Sequence, residues 1–86
     1  LVKGGMLDYI AFEDHNAMAK RAPPVVLLDV PLAQSGIRRQ HGVTVVGVKT
    51  PGGSFSHATG ETVLRQGDTV IVSGQPAAVE RFTDLR

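Results

Sequence analysis

Cysteine is absent from this 86-residue chain. Its absence excludes a disulfide framework and any thiolate metal site, and it suits a reducing, cytoplasmic setting. An excess of one charge is lacking as well, since nine Lys and Arg stand against eight Asp and Glu, for a net charge of +1. Without a broad cationic field, a nucleic acid polymer is not an expected partner. No apolar run approaches the roughly 20 residues needed to span a bilayer. The chain starts at Leu1, with no initiating Met and no signal-peptide pattern, so the sequence is expected to be a piece of a longer protein.

Catalytic and metal-binding constellations are missing too. His15, His41 and His57 show neither the i, i+4 nor the paired spacing of metal ligands. Glu13 and Asp14 adjoin, and on an extended segment adjacent side chains point to opposite faces, so they do not form a carboxylate dyad; "EDH" is expected to be a solvated turn. Ser54 and Ser56 lie near His57 without a nucleophile elbow or an orienting acid. "PGGSF" has too few glycines for a phosphate-binding loop, and no Lys-Ser or Lys-Thr pair opens a helix after it. The expected protein is not an enzyme, with no catalytic residue and no metal ligand.

What is present is a globular composition, 42% apolar and 20% charged. A chain of 86 residues has a thin core, and burial against a second copy is the expected remedy. Leu7, Ile10 and Phe12 anchor a short helical piece, followed by a strand around residues 17–22 that Pro23 and Pro24 end or confine to a sheet edge. "VVLLDV" is strand-like in composition but sits between prolines, as an extended connector does. Pro31 opens one helix over "PLAQSGIRRQ", which Asp29 helps to cap and Gly42 ends. On that helix Arg38 and Arg39 point in different directions, Arg39 toward solvent. "VTVVGVKT" and "TVIVSG" are strong strands, "PGGSFSHAT" makes a hairpin turn with a brief strand, and "QGD" makes a tight turn. Ala78, Val79, Phe82 and Leu85 recur at helical spacing. The pattern is α+β, a small mixed or antiparallel sheet flanked by helices.

The blocks "PLAQSGIRRQHGVTVVGVKTPGG" and "ETVLRQGDTVIVSGQPAAVERF" agree in order and spacing with a known family. Together they resemble the C-terminal lobe of the regulator-of-potassium-conductance (RCK) domain, known as TrkA-C, as found in Trk/Ktr-type potassium-uptake regulatory subunits. "DYIAFEDHNAMAKRAPP" resembles the crossover and first strand before that lobe, so residues 1–24 form that lead-in and residues 25–86 the remainder of one domain. The resemblance implies a regulator that works in the cytoplasm, peripheral to the inner face of the membrane through a potassium transporter subunit. It implies a homodimer through this lobe, and an octameric ring in a full-length protein. NAD or ATP would belong to an N-terminal Rossmann lobe, whose G-x-G-x-x-G turn is not in this sequence.

In several TrkA-C relatives, cyclic di-AMP lies in the cleft between two copies. The resemblance carries that ligand onto Leu32, Ala33, Ile37, Arg38, His41, Val43, Thr44, Val45 and Val46. In this assignment Arg38 meets a phosphate and His41 adds a donor or stacks on adenine. Thr44 offers a hydroxyl, and one of Val45 and Val46 lines the cleft while the other packs beneath the helices. Gly36 and Thr44 stand where some ligand-binding relatives carry an acid and an asparagine. Two other roles fit the same resemblance: a dimerisation lobe that senses nothing, and a regulator of a cation/proton antiporter.

Overall fold

The structure, a computed structural model, describes residues 6–12 and 16–85. Five strands form one sheet in the order β1 (Met6–Phe12), β2 (Asn16–Arg21), β5 (Thr69–Gly74), β3 (Val43–Lys49) and β4 (Ser56–His57), and every neighbouring pair is antiparallel. Helices α1 (Leu32–Ser35) and α2 (Ile37–His41) precede β3, and α3 (Pro76–Thr83) follows β5. The fold is α+β, as the alternation of β-branched runs with a helical stripe predicts.

The core lies between one sheet face and α3. Alternate residues of three strands point the same way: Ala17 and Ala19 on β2, Val43 and Val45 on β3, Val70 and Val72 on β5. They meet Ala78, Val79 and Phe82 of α3, the last two fully buried. Burying each Val or Phe among them stabilises by about 1.5–3 kcal/mol, so these few residues hold the layers together. Pro76 at the start of α3 carries no N–H to be left unsatisfied, which is why the helix begins there. At the end of the β3–β5 ladder Val43 faces Gly74, and a Cβ on Gly74 would lie 2.9 Å from the Gly42 carbonyl oxygen. Only glycine lets the two chains approach so closely.

Three expectations are corrected. The segment carrying Ile10 and Phe12 is not helical but is strand β1, with Ile10 opposite Met18 and Phe12 opposite Asn16. The edge of β2 takes up its backbone groups, and tertiary pairing overrides local tendency. The single helix over "PLAQSGIRRQ" is two helices, because Gly36 adopts φ 70° and ends α1 before α2 begins. Asp29 does not cap α1, which has no side-chain cap. It sits at φ 65° in the loop before α1, its N–H donates to Leu64 O at 2.9 Å, and its carboxylate pairs with Arg65 at 2.8 Å.

Three further expectations agree with the structure, while Leu85 lies past the end of α3. β2 ends at Arg21, ahead of buried Pro23 and Pro24. "VVLLDV" is a connector with one 3-10 turn over Val25–Leu27. Gly67 at φ 97° makes the tight turn before β5, with Asp68 accepting from Arg65 N–H at 3.0 Å. "EDH" lies outside the described residues.

Candidate functional site

The broken helix shapes the site. Ser35 bridges the break, donating from Oγ to Leu32 O at 2.7 Å and accepting from Ile37 N–H at 3.3 Å. Beyond Gly36 the chain starts a new helix, with Gln40 N–H donating to Gly36 O at 2.8 Å. The axis of α2 therefore does not continue that of α1. Gly42, at φ 71°, ends α2 and turns the chain into β3, its N–H donating to Arg38 O at 3.1 Å.

A second wall comes from residues 58–62. Ala33 N–H donates to Gly60 O and Leu32 N–H to Thr62 O, each at 2.9 Å, so the first amides of α1 are held by this loop. Thr59 and Thr62 stiffen it: Thr62 Oγ1 accepts from Thr59 N–H at 2.9 Å, and Thr59 Oγ1 accepts from Glu61 N–H at 3.2 Å. A bulge in β3 ties the loop to the sheet. Val45 pairs with Val72 and Gly47 with Ile71, which leaves Val46 as the extra residue, and its carbonyl accepts from Ala58 N–H at 3.3 Å.

Between α1, α2, β3 and this loop lies an open hollow of about 570 Å³. Leu32, Ala33, Ile37, Val45, Ala58 and Gly60 give it an apolar floor. Gln34, Arg38, Arg39, Thr44 and Thr59 supply the polar lining. Among the described residues, the lining holds two cations and no carboxylate. Both arginines are exposed, and neither guanidinium has a hydrogen-bond or ion-pair partner among the described residues. Guanidinium groups beside an apolar lining can take an anion by forked, charge-assisted contacts.

Six of the nine assigned residues come together here: Leu32, Ala33, Ile37, Arg38, Thr44 and Val45. The other three lie off the hollow. His41 presents its ring edge-on to Phe82, with centroids 6.2 Å apart, so it packs toward α3. Val43 is buried in the core at 1% exposure, and Val46 is the bulge residue. Val45 is thus the one of the adjacent valines that lines the space. Arg39, expected to face solvent, is exposed and also borders the open hollow. Ala58, Thr59 and Gly60 were not assigned from sequence; "HATGET" carries turn chemistry, but nothing local aims it at α1.

Among the described residues no group of three or more His, Asp or Glu side chains is placed to hold a metal ion. Among the described residues, too, no helix is long and apolar enough to cross a membrane.

Residues 21–86 match the TrkA-C domain family. The chain belongs to that family. Among curated proteins, no relative matches it. The crystal structure of the GsuK RCK domain is similar to it over 98% of this chain and 18% of that one, with 21% identity and a TM-score of 0.71. The GsuK channel bound to NAD aligns over 80% of this chain and 13% of that one, with 21% identity and a TM-score of 0.71. A further GsuK channel structure is 19% identical over 92% of this chain, with a TM-score of 0.63. These likenesses show that the TrkA-C lobe has the RCK fold. The chain spans less than a fifth of the solved chains it matches.

Proposed function

We propose that this TrkA-C lobe is a regulatory domain of a potassium-transport protein, working at the cytoplasmic face of the membrane. In this reading it pairs with a second copy about a two-fold axis and senses cyclic di-AMP in the hollow between them. Family membership supports the regulatory role. The observation that carries the ligand reading is the hollow itself, where Arg38 and Arg39, without a hydrogen-bond or ion-pair partner among the described residues, border an apolar floor. A phosphodiester matches the forked donors of arginine, and an adenine matches the floor of Leu32, Ile37 and Val45. A two-fold ligand with two phosphates needs the same donors twice, and a symmetric pair supplies each residue in duplicate. NAD or ATP is assigned to a Rossmann lobe outside these residues.

Calorimetry with cyclic di-AMP, alongside sedimentation of the free and mixed chain, tests the reading. The expected result is a dimer that takes one ligand per pair. A monomer well above micromolar concentration, or a dimer that takes no cyclic di-AMP, rejects it; the latter result leaves a lobe that only dimerises.

A further inference from the structure

The hollow holds one more cation than a single phosphate contact per copy requires. We infer that Arg39 is a second phosphate-contacting residue, so that each copy of the lobe closes on one phosphate with two guanidinium groups, from Arg38 and Arg39. The inference rests on the reading above that the hollow takes an anionic nucleotide, and it adds a residue to that site.

Two observations carry it. Arg38 and Arg39 are consecutive residues of α2, about 100° apart around its axis, and both of these long side chains border the hollow. Second, neither has a hydrogen-bond or ion-pair partner among the described residues, and no carboxylate lines the space. Two like charges facing one hollow repel each other, and an anion between them removes that cost.

The chemistry of a phosphodiester fits this pair. It has two non-bridging oxygens, and two guanidinium groups can each take one from opposite sides, which fixes the phosphate more tightly than a single fork does. Loss of one group leaves the other able to hold the phosphate, so the effect of Arg39 is graded.

The test uses the 86-residue chain, with cyclic di-AMP in calorimetry and pyrophosphate as a base-free probe. Pyrophosphate binding is read from the arginine Nε–Hε signals in NMR spectra. Arg39→Ala is expected to weaken cyclic di-AMP binding about 10- to 100-fold with the fold unchanged by circular dichroism, and Arg39→Lys to recover part of the loss. Pyrophosphate is expected to move the Arg38 and Arg39 signals together. Parent-like affinity in Arg39→Ala, or an Arg39 signal that pyrophosphate leaves still, overturns the inference. If the parent binds no cyclic di-AMP while pyrophosphate moves both signals, the two-arginine clamp stands and the choice of nucleotide is what fails.

Discussion

The Arg21 guanidinium donates from Nη1 to the carbonyl oxygen of Phe82 at 2.8 Å while lying 5.5 Å from the centroid of that residue's ring. The same nitrogen donates to Leu85 O at 2.8 Å, and Nε donates to Ala22 O. One side chain from β2 thus closes the end of α3, where a helix has unsatisfied carbonyls and a negative dipole end. Burial lowers the Arg21 pKa, because desolvation disfavours its charged form. Arginine remains charged in proteins, so this shift acts as a fixed cost rather than a source of pH dependence near neutrality.

Arg21→Ala removes the donors, leaving the buried Phe82 carbonyl with only the Leu85 N–H and the part-buried Leu85 carbonyl without Arg21. We expect a loss of about 2–4 kcal/mol in urea unfolding, with Arg21→Lys recovering part of it. A loss below about 0.5 kcal/mol, typical of a surface change, would show that water serves the α3 end equally well.

Gly36 links stability to the site. Gly36→Ala places a side chain at φ 70° and is expected to cost about 1 kcal/mol or more. Gly52, at φ 78° with open space around its would-be Cβ, is the control: Gly52→Ala carries a similar backbone cost at a residue that does not line the hollow. Urea midpoints should fall in both variants, whereas only Gly36→Ala should displace the NMR signals of the Arg38 and Arg39 side chains. Unchanged arginine signals would mean that the break does not set their direction.

Much of the fold is legible in the residues. "VTVVGVKT" and "TVIVSG" are β-branched and bounded by glycine and proline, and they form β3 and β5. Ala78, Val79 and Phe82 show their helical spacing and pack as one stripe. β1 was not legible, because Ile10 and Phe12 gain their strand from a partner, and pairing is not a local property. The helix break was written in Gly36, but a glycine inside a helical pattern is ambiguous between a tolerated residue and a stop. The site was half legible: its α1, α2 and β3 residues are contiguous in sequence, while Ala58–Gly60 arrive only through the return of the loop after β4.

Asp29 tests the cost of the left-handed conformation against an exposed ion pair. Its pairing with Arg65 involves side chains 69% and 67% exposed, and such pairs contribute about 0–1 kcal/mol. A non-glycine residue at φ 65° bears a steric cost that Asp tolerates better than most. Asp29→Gly is therefore expected to change the urea midpoint little, and Asp29→Ala to lower it. Equal destabilisation by both would assign the residue's value to the ion pair alone.

Ligand linkage gives the last prediction. A ligand that binds only the folded pair stabilises it, by about 2.7 kcal/mol at a hundred times its Kd. Cyclic di-AMP should therefore raise the Tm of the chain, and the rise should continue with the logarithm of free ligand beyond its Kd. Arg38→Ala removes one phosphate contact from each copy, two in all, and charge-assisted contacts contribute about 1.5–3 kcal/mol each. Because Arg38 is exposed, the lower end applies, and the loss is on the order of 3 kcal/mol per ligand, about a hundredfold in affinity. At a fixed ligand concentration that loss cancels nearly all of the stabilisation, while the Tm without ligand stays at the parent value. Thermal scans of parent and Arg38→Ala with rising cyclic di-AMP check both points. A parent Tm that rises equally in Arg38→Ala would place the ligand somewhere other than the hollow.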